Sequence, residues 1–268
     1  MRLLLPMLAL SLAAAPFADA DAQRGEFGRM RRMLGDPSEY YEHPDFRGNV
    51  PYDGRFTFVR IKYRGYGGFT NQGPGWSHDY PRAESNLMRI MMEITALRPF
   101  VESPLAIGGN VLALDDPELM KFPVAYFSEP GYWQPTDAEV RGFRRYLQKG
   151  GFVIFDDFQG SQHWMNFTRQ MQRVLPDARV VPLDASHEIF DSFFKVNLDA
   201  LSQQYNTRPV YYGIYRDNDP RKRLIAIINF ENDVGEFWEY SSRGFVPIAV
   251  SNEAYKLGVN YLIYALTH

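Results

Sequence analysis

The sequence predicts an α/β sandwich: a mostly parallel central sheet covered by helices, with an antiparallel hairpin near one edge. Three observations predict it. The run Phe152-Val153-Ile154-Phe155 lies between Gly150-Gly151 and Asp156-Asp157, and a short apolar run bounded by turn formers reads as a strand buried on both faces. Such a strand needs a layer above and a layer below it. Strand-like runs then alternate with segments of helical period through the first two-thirds of the chain, as βαβ units do. Finally, residues 210–215 and 223–230 form two strand runs separated by Asp217-Asn218-Asp219-Pro220, the pattern of a hairpin.

The elements follow in order. Met1-Arg2, an apolar run to Ala15 and the small residues Ala18, Ala20 and Ala22 have the order of a secretory signal peptide, with cleavage expected after Ala20 or Ala22. Residues 23–54 show no sustained period and are expected as an irregular arm, which leaves 55–268 as the α/β domain. Residues 55–63 alternate apolar and polar, as a first strand does. Gly65 to Pro81 is a long Gly- and aromatic-rich loop, and such loops at strand ends often carry function. Leu87, Ile90, Met91, Ile94 and Leu97 predict a helix over 83–97. Strands are expected at 111–114 and 122–127. Thr136 and Glu139 form a capping box at the head of a helix that Gly150 stops. Trp164, Phe167, Met171 and Val174 predict the next helix over 161–175, followed by a short strand at 179–183 and a polar elbow at 184–190. A closing helix is expected from about Asn252.

Composition narrows the function classes. The chain has 268 residues, no cysteine and a formal charge of -3. Disulfides, thiolate metal sites and cysteine nucleophiles are therefore excluded. A near-neutral charge gives nucleic acid no electrostatic footing. The first apolar run is too short to span a bilayer, so no transmembrane helix is expected in the mature chain, and the expected location is periplasmic or secreted. The histidines show no spacing typical of metal ligands, so neither a metal nor another cofactor is expected.

Three stretches carry possible chemistry. Asp156 and Asp157 sit where the central strand exits, at the carboxyl edge of the sheet where open α/β folds bind ligands. Consecutive strand residues point to opposite faces, so at most one of the two faces a given crevice and the second caps a helix or pairs with an arginine such as Arg169; the alternative is that both serve as caps and turn bonds. His187, in the elbow after a strand, has the titration range of a general base. With Asp156 and Asp157 it forms the expected catalytic set if the protein is an enzyme. The stretch Trp76-Ser77-His78-Asp79-Tyr80-Pro81, with Asn86 beyond it, opens a helix; Trp76, Asp79 and Asn86 are expected to bind ligand, together with Asp233. The segment from Asn229 to Asp233 otherwise reads as a solvated acidic loop tip.

Several of these residues also carry a resemblance. Phe56 to Arg60 with Tyr63, Trp76 with Asp79-Tyr80-Pro81, Glu84 and Asn86-Leu87, and Gly150-Gly151-Phe152 with Asp156-Asp157 occur in this order. Leu175-Pro176, His187 with Ile189-Phe190, Tyr212-Gly213-Ile214, Asp233, and Leu257-Gly258-Val259-Asn260 with Tyr264 follow. Over about residues 53–268 the chain thereby resembles the domain-of-unknown-function family DUF4159. The resemblance implies a flavodoxin-like three-layer scaffold similar to class I glutamine amidotransferases and trehalose-utilisation-like proteins. It implies no activity. Amidotransferases place a cysteine on the turn that here reads Asp156-Asp157-Phe158-Gln159-Gly160-Ser161, so their chemistry is excluded.

The expectation is an exported domain that binds a small molecule, a glycan or an envelope protein on a degenerate amidotransferase-like scaffold. The alternative is a hydrolase acting on a glycan or amide through an Asp/His site. Convergence of carboxyl and imidazole groups from separate loops separates the two.

Overall fold

The computed structural model describes residues 43–64, 75–103, 106, 107, 109–201 and 208–268. The expected signal peptide, the first part of the arm and the loop segment 65–74 lie outside them. Among the described residues no helix is long and apolar enough to cross a membrane.

Seven strands form the main sheet: β1 (Phe58–Lys62), β4 (Gly109–Ala113), β5 (Val124–Ser128), β6 (Phe152–Phe158), β7 (Val181–Pro182), β8 (Val210–Tyr215) and β9 (Leu224–Phe230). A separate two-stranded antiparallel ribbon joins β2 (Val101–Ser103) to β3 (Ala106–Ile107). The main sheet has the order β4-β1-β5-β6-β9-β8-β7. Its first five strands are parallel, and β8 pairs antiparallel with β9 to give the expected hairpin. Counted along the chain, the parallel strands lie in the order 2-1-3-4-5, which is the flavodoxin-like winding with its switch point between the first and third. Here that point falls between β1 and β5.

Among the described residues, six α-helices complete the layers: α1 (Arg82–Ile94), α2 (Asp137–Gln148), α3 (Gly160–Val174), α4 (Leu198–Leu201), α5 (Val234–Tyr240) and α6 (Ile248–Thr267). Strand alternation sorts the core into two halves. Phe152 and Ile154 of β6 meet Leu87 of α1, Phe237 of α5 and Leu257 of α6 on one side. Val153 and Phe155 meet Phe143 of α2 and Phe167 of α3 on the other. All four β6 residues are fully buried, and each contributes roughly 1.5–3 kcal/mol of transfer free energy. The sandwich thus has three layers, with β6 central as the sequence predicts.

Local chemistry explains the boundaries. The capping box is present: Thr136 Oγ1 accepts from Glu139 N–H and the Glu139 carboxylate accepts from Thr136 N–H. Helix α1 ends earlier than its apolar period suggests, because the Thr95 hydroxyl donates to the Met91 carbonyl and accepts from Leu97 N–H, drawing the chain into an extended conformation. Helix α6 starts one turn earlier than expected, behind Pro247, whose carbonyl takes the Val250 and Ser251 N–H groups. Part of the arm does lie on the fold: the side chains of Asn49 and Asn110 bond the backbone of Val111 and Val50, closing the open edge of β4.

The largest departure is at residues 229–239. They are not a solvated acidic tip: Asn229, Asn232, Asp233, Trp238 and Glu239 are all buried, and the segment folds into α5. Asp233 caps that helix by accepting from Glu236 N–H.

Candidate functional site

Four chain segments meet at the carboxyl edge of the sheet beside the switch point. The first is the turn after β1, where Arg60 fixes the backbone. Its guanidinium, 1% exposed, pairs with the buried Glu84 of α1 and donates to the carbonyls of Trp76 and His78 at 3.0 and 2.7 Å. An internal cation thereby holds the turn that presents His78 and Asp79. The second segment is the exit of β5, where Glu129 N–H donates to the Asp156 carbonyl and Glu129's own carbonyl accepts from Tyr63 Oη at 2.7 Å. The third is the exit of β6, with Asp156 and Asp157. The fourth is the start of α5, with Asp233.

Asp156 and Asp157 divide as strand alternation requires. Asp156 is fully buried and accepts four hydrogen bonds, from Tyr126 Oη, Asn229 Nδ2, Val234 N and Gly235 N. Burial pushes its pKa up to about 6, even though the bonds from Tyr126 and the backbone favour the charged form. Asp156 ties β5, β9 and α5 together and does not face the cleft. Asp157 does: with φ at 60° its backbone is left-handed, the β6 register slips there, and its carboxylate bonds His78 Nδ1 at 2.6 Å.

Asp79, Glu129 and Glu231 are left-handed as well. For a residue with a side chain this conformation costs on the order of 1–3 kcal/mol, and such strain concentrates at functional sites. At this edge Asp79 and Glu129 stand near His78 and Asp157, whereas Glu231 accepts from the Gly160 N–H.

The resulting cleft of about 250 Å³ is lined by His78, Glu129, Asp157, Asn232, Asp233 and neighbours, with no lysine or arginine among them. Asp79 lies beside it at 1% exposure. Neither of its carboxylate oxygens has a hydrogen-bond partner among the described residues, and Gly235 leaves the room for one of them, since a Cβ there would stand 2.6 Å from Asp79 Oδ2. Glu129 is placed in the same way: a Cβ on Gly75 would stand 2.1 Å from its Oε2, which is also buried without a partner.

Crowded negative charge dominates the electrostatics. Burial, then the neighbouring Asp157, raise Asp79 well above the usual carboxylate range, although His78 and Arg60 pull the other way. Burial, then Asp157, Asp79 and Asp156, raise Asp233 well above it too. Glu129 is pushed up to about 8 by burial and by Asp157. Burial opposes the charge on His78, but the bond to Asp157 and the surrounding carboxylates outweigh it and push its pKa up to about 10.

The remaining predicted residues are placed elsewhere. His187 does not join the acids. Its Nδ1 accepts from Ile189 N–H, and its ring packs beside Tyr215 and Tyr264, the latter bonded to Leu224 at the opposite end of β9. Trp76 is buried in the core, and the Asn86 side chain holds the carbonyls of Trp238 and Glu239. Asp79 and Asp233 do meet, and with His78 and Asp157 they offer four donor atoms all within 4.8 Å of one another. Sequence spacing does not show this cluster, because its members come from three separate segments. Glu129 carried no sequence signal.

The profile of the domain of unknown function DUF4159 matches residues 57–266. The chain belongs to that family. No curated protein matches it closely enough to count as a relative. In this DUF4159 domain the matched span contains every residue of the site just described.

Proposed function

We propose that the protein is an exported hydrolase that cleaves an amide or glycosidic bond with water in the cleft at the carboxyl edge of the sheet. The observation that carries this reading is the convergence of His78, Asp157 and Glu129 from three exits of the fold, with His78 Nδ1 2.6 Å from Asp157 and 3.9 Å from Glu129. In this reading the His78–Asp157 pair orients the reacting group, and Glu129, whose Oε2 has no hydrogen-bond partner among the described residues, accepts the proton of the attacking water and passes it to the leaving amine or alcohol. Glu129 beside the His78–Asp157 pair gives the cleft a carboxylate next to an imidazole–carboxylate pair, the arrangement of general acid–base chemistry, and that favours hydrolysis over the binding reading.

A panel of chromogenic amides and glycosides tests it. The protein should turn over at least one class, and Glu129→Gln and Asp157→Asn should each lower the rate by about 100-fold or more. No turnover of any panel member above the heat-denatured control, with and without divalent cations, would sink the reading. Export is tested separately by intact mass: protein from the exported fraction should lack residues up to Ala20 or Ala22.

A further inference from the structure

We infer that Asp79, Asp157, Asp233 and His78 form a binding site for a divalent transition-metal cation such as Zn²⁺ or Mn²⁺. The inference rests on the hydrolytic reading of the same cleft and names a cation that its acids would hold.

Three observations carry it. The first is the spacing: one donor atom from each residue lies within 4.8 Å of all the others. Opposite ligands around an ion with bonds of about 2.1 Å stand about 4.2 Å apart, so the four can close on a cation with small side-chain movements. The second is Asp79. A carboxylate 1% exposed with two unpartnered oxygens is among the costliest groups to bury. Among the described residues it makes no hydrogen bond, and its ionic neighbour is His78, whose Nδ1 stands 3.9 Å from Asp79 Oδ1; the buried Arg60 spends its hydrogen bonds on Glu84 and two carbonyls. Asn232, 4% exposed, adds an unpartnered Oδ1 on the wall of the same cleft. The third is charge, since among the described residues the cleft lining has acids and no lysine or arginine.

The donor set also selects the ion. Ca²⁺ and Mg²⁺ take all-oxygen sites, whereas an imidazole among carboxylates suits zinc or manganese. Such an ion lowers the pKa of a bound water and so makes the nucleophile. Glu129 stands outside the four and beside His78, placed to take that water's proton.

Calorimetric titration of the full chain, stripped with a chelator, provides the test. Zn²⁺ and Mn²⁺ should bind one ion per chain, with Ca²⁺ at least about 10-fold weaker. Asp79→Asn, which tolerates the left-handed backbone, should weaken binding by about 100-fold. Asp233→Ser retains an oxygen to cap α5 and should do the same. Asp137→Asn, exposed on α2, should bind as wild type. Circular dichroism confirms that each variant folds. Absence of binding by any of the cations, or unchanged affinity in folded Asp79→Asn and Asp233→Ser, overturns the site; tighter binding of Ca²⁺ overturns the assignment of the ion. Hydrolysis that persists in the chelator-treated, metal-free protein removes the cation and leaves the hydrolase, whereas a bound cation without turnover of any substrate does the reverse.

Discussion

Asp156 and Asp157 are consecutive in β6 yet serve opposite sides of it: one accepts four hydrogen bonds inside the protein, and the other bonds His78 at the cleft. The backbone turn at Asp157 completes the separation, because its left-handed φ rotates the second carboxylate away from the first.

Their replacements should therefore separate. Asp156→Ala leaves the N–H groups of Val234 and Gly235 and the Asn229 amide without an acceptor, and should cost about 3 kcal/mol or more. Asp157→Asn keeps the shape and tolerates the turn, so it should cost less than about 1 kcal/mol while hydrolysis is lost. Denaturant unfolding of both variants decides it. Similar stability losses in the two would mean that Asp157 is structural as well.

Arg60 and Glu84 form the internal ion pair behind the site. Removing one partner leaves a buried charge, so Arg60→Met should cost about 3–5 kcal/mol. Adding Glu84→Leu should recover part of this and leave the cost of the Trp76 and His78 carbonyls that Arg60 had satisfied. A double-mutant cycle should thus give a coupling of about 2 kcal/mol or more. Additive losses would show that the pair does not act as a unit.

Much of this fold is legible in the sequence, because period and punctuation carry it: the glycine-bounded run of β6, the capping box of α2 and the turn between β8 and β9 each state a local physical requirement. The site is legible only in part. Asp157, Asp79 and Asp233 stand in stretches that draw notice, but His78 reaches Asp157 across 79 positions, and no spacing rule spans that distance. His187 attracts notice as a histidine after a strand. However, β7 has only two residues, and the chain turns back along the sheet instead of reaching the cleft. Helix α5 is hidden because its seven residues hold too little period, and only Asp233 with Glu236 marks its start.

His187 should matter to stability at acid pH. Burial lowers its pKa below the ordinary 6.5, partly offset by Glu188. The unfolded chain then takes up the proton more readily than the folded one. Stability from this group is complete above about pH 6.5 and is lost as pH falls through the lowered value. His43 and His163, also lowered by burial, act in the same direction. His187→Asn keeps an acceptor for Ile189 N–H and removes one titration. Its melting temperature should therefore fall less than that of wild type between about pH 7.5 and about pH 5. Parallel curves for the two proteins would show that His187 does not contribute.

Glu129 should trade stability for activity. Its backbone is left-handed, with φ 46° and ψ 49°, which costs a residue with a Cβ roughly 1–2 kcal/mol and glycine almost nothing. Its carboxylate is also buried beside Asp157, and charge repulsion adds to the burden. Its backbone bonds, to the Asp156 carbonyl and from the Tyr63 hydroxyl, do not depend on the side chain. Glu129→Ala removes the carboxylate and keeps the strain, whereas Glu129→Gly removes both. Against the relief stands the extra freedom that glycine gives the unfolded chain, up to about 1 kcal/mol. The glycine variant should still unfold at a higher denaturant concentration than the alanine variant, by the equivalent of roughly 0.5–1 kcal/mol. Both should lose hydrolysis by about 100-fold. A glycine variant less stable than the alanine variant would mean that no strain is stored at this exit, and the left-handed acids around the cleft would then be ordinary turn residues.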